Sequence, residues 1–180
     1  MKHPPLTKGI CLTVGLRLFL GPLVLWSPWV SLVTFVVDWL DGEVFKRSGW
    51  THARYDQVDK LLDLYFYAWI MTYILTFNLP PKFLFLFFFA LRLLGQLIFY
   101  LSKNDKAFFF FPNIYEILFY FYLFTLIIPP LAKYLLFPWL WLTLAIITII
   151  VLIREYVLHI QKANLSWMVF GKITHWPDRT

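Results

Sequence analysis

Apolar residues run through this chain in long stretches, interrupted at intervals by proline, glycine and charge. Six stretches stand out, over residues 10–26, 28–41, 58–77, 83–101, 113–136 and 138–159. A helix crossing the hydrocarbon core of a bilayer needs about 20 residues, so the pattern predicts an all-α, polytopic membrane protein with about six transmembrane helices. The breaks have recognisable chemistry: Trp26-Ser27-Pro28, Asn78-Leu79-Pro80-Pro81, Pro112-Asn113 and Phe137-Pro138 each disfavour continuation of a helix. The second stretch is short for a full crossing, and its polar end is expected in a wet cavity or the headgroup zone. Six spans leave no room for a separate soluble domain, so residues 1–180 are expected to form a single membrane domain.

Composition agrees. Of the 180 residues 61% are hydrophobic and 14% charged, against about 45–50% and about 25% in soluble domains. Mean hydropathy is +0.69, and the 20 Phe and 9 Trp carry much of the excess. The composition argues against a water-soluble domain and excludes a disordered chain. The net charge of +6 then reads as basic loops facing anionic lipid rather than as a nucleic-acid footprint. Twelve of the sixteen basic residues fall in the N-terminal segment, the 42–60 and 102–107 loops, and the tail with the helix end before it; only Lys82 and Lys133 lie on the opposite side. This bias places both termini in the cytoplasm. Lys2 and Lys8 precede an apolar run without a small-residue cleavage site, so the first stretch reads as a retained helix. The tail 161–180 mixes Trp167, Phe170 and Trp176 with Lys and Arg, which suits a segment lying on the membrane surface. The Phe runs 83–89 and 108–111 read as lipid-facing or interfacial. Cys11 is the single cysteine and cannot form an intramolecular disulfide.

Six of the ten acidic residues lie between positions 38 and 63: Asp38, Asp41, Glu43, Asp56, Asp59 and Asp63. Asp38 and Asp41 are three apart and Asp59 and Asp63 four apart, so on helices each pair shares a face. Opposing those faces would set four carboxylates around one cavity at the cytoplasmic membrane face. Like charges there resist ionising together unless cations neutralise them, and hard oxygen ligands select Mg²⁺, Mn²⁺ or Ca²⁺. Glu43 and Asp56 fall outside the paired spacing and read as loop acids balancing Lys46, Arg47, Arg54 and Lys60.

The stretch Asp38-x-x-Asp41-Gly42, followed by Asp59-x-x-x-Asp63, resembles the signature of the CDP-alcohol phosphotransferases, D-x-x-D-G-x-x-A-R and then G-x-x-x-D-x-x-x-D. The four aspartates and the first glycine match at an eight-residue spacing; Phe45, Lys46 and Tyr55 stand at the alanine, arginine and second glycine positions. Arg17 followed by Pro22, and Arg92, resemble recurring family features more weakly. The resemblance implies a six-helix domain, usually a homodimer. It also implies a two-metal Mg²⁺ or Mn²⁺ site on Asp38, Asp41, Asp59 and Asp63, with Asp63 as the base. The activity implied is transfer of a substituted phosphoryl group from a CDP-alcohol, CDP-diacylglycerol foremost, to a hydroxyl acceptor with release of CMP. Gly42 then allows close backbone approach to the nucleotide, and Lys46 supplies point charge in place of an arginine fork.

Arg17 and Arg92 lie within spans, where an unpaired guanidinium is costly. One expectation is that they bind the phosphate of an acceptor or lipid, with Lys103 and Lys106 at the rim; the other is that they pair with Glu116 or backbone carbonyls, or snorkel. His3, His52, His159 and His175 show no metal-ligand spacing. Three rivals stay open: a divergent family member without this activity, a membrane prenyltransferase, and a cation-binding transporter. The prenyltransferases use more spans and widely separated acidic motifs, and a transporter is expected to carry acids at the midplane or on both faces.

Overall fold

The computed structural model describes residues 6–160, and every regular element among them is helical. The surface tail expected at 161–180, together with Lys2, His3 and His175, lies outside the described residues. The elements are α1 (Lys8–Leu23), α2 (Val30–Arg47), α3 (His52–Thr76), α4 (Lys82–Ser102), the single turn α5 (Ala107–Phe110), α6 (Ile114–Ile127), a 3₁₀ stretch (Pro129–Leu135) and α7 (Leu140–Glu155), which continues as a wider π turn over Tyr156–Ile160. Two of these, Lys82–Ser102 and Leu140–Ile160, are long and apolar enough to cross a membrane, and Ile114–Ile127 is a shorter apolar helix.

Helix boundaries depart from the apolar runs in two places, each for a physical reason. The 42–60 region is not a loop: α2 continues to Arg47 and α3 begins at His52. Its charges pair along the helix surface, Glu43 with Lys46 (3.1 Å) and Arg47 (2.8 Å), and Asp56 with His52 (2.7 Å), at the three- and four-residue spacings that support a helix. Gly49, at φ 77°, supplies the left-handed residue that turns the chain after α2. The run 113–136 is broken at Pro129-Pro130, where α6 has ended and the chain tightens into the 3₁₀ stretch.

The chain packs as two compact units that divide within α3 after Ile70. In the first, α1 and α2 lie side by side, with Thr7 Oγ1 and Ser48 Oγ 2.9 Å apart at one end. Thr7 also caps α1, its side chain accepting from the Ile10 amide. A small core forms where Ile10 and Phe45 meet Val14, Val44, Trp50, Tyr55 and Val58. Gly21 permits a close crossing further along: a Cβ there would fall 2.7 Å from Tyr65 and 2.8 Å from Trp69.

The second unit holds the end of α3 and everything after it. Along α4 the buried residues are Phe85, Phe88, Arg92, Gly95, Gln96 and Phe99, one stripe at helical spacing. Phe83 and Phe87 are exposed. The Phe runs are therefore not uniformly outward: Phe85 and Phe108 are fully buried, because the period of α4 and a partner guanidinium draw them in. At the head of α6, Asn113 and Glu116 cap one another, the Asn113 amide donating to Glu116 at 2.7 Å while its carbonyl oxygen accepts from the Glu116 backbone.

Candidate functional site

The aspartate pairs come together because α2 and α3 are joined by four residues, 48–51, and each helix turns its pair to the same side. Between them reaches the guanidinium of Arg17 from α1. Its Nη1 donates to Asp41 Oδ2 at 2.6 Å and Asp59 Oδ1 at 2.8 Å; its Nη2 donates to Asp63 Oδ1 at 2.7 Å and lies 2.7 Å from Asp38 Oδ1, close but poorly directed for a hydrogen bond. Each terminal nitrogen thus spans one carboxylate of α2 and one of α3. Arg17 is 2% exposed, and Asp41, Asp59 and Asp63 are also buried. Asp38 is the open side of the cluster, with 35% of its side chain exposed.

Two further groups complete the set. Lys60 donates to Asp59 Oδ2 at 2.5 Å and to Asp63 Oδ2 at 2.9 Å. Tyr55 donates to Asp41 Oδ1 at 2.7 Å. In the sequence Lys60 reads as a loop charge, and Tyr55 stands out only as the residue at the second glycine position of the motif. Their signal was present in the register: positions 55, 59 and 63 fall on one stripe of α3, and Lys60 is three residues from Asp63.

Four carboxylates against Arg17 and Lys60 leave a formal excess of two negative charges. The donor set fits a hard divalent cation on that count. It fits by geometry too, since one oxygen each from Asp38, Asp41 and Asp59 lies within 4.8 Å of the others. An oxygen of each of these three aspartates also faces the arginine, so a cation at this point meets Arg17 as a rival for the same carboxylates.

The remaining expected site residues distribute between the units. Gly42 and Lys46 lie next to the cluster on α2, but the space over Gly42 is filled by Tyr55, whose hydroxyl would be 3.3 Å from a Cβ built there. Phe45 is buried beneath Trp50 and Tyr55, its ring centroid 4.9 Å from that of Trp50 and 5.2 Å from that of Tyr55. Lys46 bonds Glu43. Arg17, expected to hold a phosphate or to pair with Glu116, is instead committed to the aspartates, because they supply the charge that a buried guanidinium needs.

Arg92, Lys103 and Lys106 belong to the second unit. Arg92 sits 4.4 Å over the Phe108 ring and donates to the Phe111 carbonyl at 3.2 Å, which is the backbone pairing weighed above. Lys103 caps α4 in the left-handed conformation with its ammonium 5.6 Å over Tyr100, and Lys106 is exposed. Glu116 takes hydrogen bonds from Asn113 and Tyr120. Comparison with protein-family models, curated proteins and solved structures finds no match.

Proposed function

We propose that the protein is a multi-pass membrane transferase of phospholipid synthesis, a divergent CDP-alcohol phosphotransferase. In this reading it moves a phosphatidyl or related substituted phosphoryl group from a CDP-alcohol, CDP-diacylglycerol foremost, to a hydroxyl acceptor. The observation that carries this reading is the convergence of Asp38, Asp41, Asp59 and Asp63 from two helices onto one point. The long apolar helices supply the setting. Six crossings are assigned to α1, α2, α3, α4, α6 with its 3₁₀ continuation, and α7, with both termini and the aspartates on the cytoplasmic side and two chains forming a homodimer.

In this reading the four aspartates hold Mg²⁺ or Mn²⁺. Such ions supply neutralisation of the diphosphate and of the charge that develops on departing CMP. Asp63 removes the proton of the acceptor hydroxyl. The acceptor oxygen then forms a bond to the phosphorus of the substituted phosphoryl group, the bond from that phosphorus to the CMP oxygen breaks, and its electron pair leaves with CMP. Tyr55 holds Asp41 in orientation through its hydroxyl, and Lys60 fixes the outer oxygens of Asp59 and Asp63.

The cover that Tyr55 places over Gly42 favours a second reading, in which cytidine has no seat and the aspartates with Arg17 form an ionic brace in a family member without transfer activity. CMP release by purified protein with Mg²⁺ or Mn²⁺, CDP-diacylglycerol and a panel of glycerol phosphate, inositol phosphate and serine separates the two. Release that vanishes in Asp63→Asn supports the transferase. No release with any acceptor, or undiminished release in Asp63→Asn, overturns it.

A further inference from the structure

Arg17 does more than neutralise. Its two terminal nitrogens each bridge a carboxylate of α2 to one of α3, and together they contact an oxygen of all four aspartates. Its polar contacts are made by Nη1 and Nη2; Nε is buried without a hydrogen-bond partner, so displacement of the guanidinium costs no hydrogen bond at Nε.

Asp41, Asp59 and Asp63 are buried, whereas the Asp38 side chain is partly exposed although its Oδ1 is buried against Arg17; the arginine contact is also least well directed there. A cation approaching from that side meets the weakest of the four contacts first. As it takes over the oxygens, a positive guanidinium left in place would repel it, and a guanidinium driven back would lose its counterions in a buried setting. Either way the arginine opposes loading.

We propose that Arg17 is a built-in competitor cation that sets the affinity of the aspartate site for divalent metal. The site then loads only when the metal concentration is high enough to displace the guanidinium from its carboxylates. This inference rests on the reading that the four aspartates take a divalent cation, but it concerns affinity and not transfer.

Mn²⁺ alone, titrated into the full-length protein in detergent and followed by electron paramagnetic resonance and calorimetry, tests it. Arg17→Gln removes the charge, and Mn²⁺ binds it about tenfold or more tightly than wild type, the least expected from deleting a like charge a few ångströms away. Arg17→Lys, with one nitrogen that reaches only one carboxylate pair, falls between the two. A cooperative thermal transition verifies that each variant is folded. Should Arg17→Gln fail that check, Arg17→Lys alone decides, and tighter binding than wild type is the supporting result.

Equal or weaker Mn²⁺ affinity in the folded variant overturns the proposal, as does an absence of Mn²⁺ binding in wild type and variants alike. The transferase reading fails separately. Tighter binding in Arg17→Gln with no CMP release from wild type leaves the competitor role standing. Unchanged affinity with CMP release intact removes that role and leaves the transferase.

Discussion

Tyr55 donates its hydroxyl hydrogen to Asp41 at 2.7 Å while its ring covers the open face of Gly42. One side chain therefore both orients an aspartate and occupies the space where a nucleotide would approach the backbone. Tyr55→Phe keeps the cover and loses the hydrogen bond. Because the acceptor is a buried carboxylate, the expected loss is about 1.5–3 kcal/mol of stability, read by denaturant unfolding. Tyr55→Gly clears the space, and in the transferase reading it binds CDP more tightly than wild type by calorimetry.

Gly21 lies where a methyl group would meet two rings of α3, 2.7 Å from Tyr65 and 2.8 Å from Trp69. The Tyr65 ring is tethered, since its hydroxyl also donates to the Leu18 carbonyl at 3.0 Å. Gly21→Ala is expected to destabilise by about 1–3 kcal/mol through overpacking, seen as a lower melting temperature.

Glu155 is an ionic centre of the second unit. It is buried, accepts from the Asn113 backbone at 3.4 Å, and pairs with Arg154 at 2.9 Å and His159 at 3.1 Å. Removing the charge with Glu155→Gln leaves these partners without their carboxylate, and the expected cost is about 3–5 kcal/mol. Asp105, 3.8 Å from His159, is the farther of the two acids facing that imidazole, so Asp105→Asn is expected to cost less in the same unfolding assay.

The proposed six-crossing topology makes a prediction independent of chemistry. Ala53 and Lys133 are both exposed, and the proposal puts them on opposite sides of the membrane. In a Cys11→Ser background, a membrane-impermeant maleimide added to intact cells is expected to label Lys133→Cys and spare Ala53→Cys. Labelling of both, or of Ala53→Cys alone, contradicts the assignment.

The aspartate register was readable before the fold because it depends only on the helical period. Asp38 and Asp41, like Asp59 and Asp63, share a face wherever their helix lies. The destination of Arg17 was not readable. Its partners are 21 to 46 residues away, and the choice among them depends on which helices cross and at what height. The ends of α2 and α3 were hidden for a different reason: dense charge at 43–56 resembles a solvated loop until Glu43, Lys46, Arg47, His52 and Asp56 are seen to pair within their own helices. Phe108 looked like lipid-facing filler by composition. It is core because Arg92 needs a surface on which to lay a guanidinium.

The contact between Thr7 and Ser48 ties the start of α1 to the end of α2. From Thr7 to Arg17 is ten residues, and from Ser48 back to Asp38 is also ten, so both climb about 15 Å from the tie. The pair works as the zero mark of a ruler with two equal arms. One residue inserted between Thr7 and Arg17 shifts the guanidinium by about 1.5 Å and turns it about 100° around α1, sending a charge meant for four aspartates toward the outer face of the helix. The length of that arm is thus held by the arginine as strictly as any single residue along it.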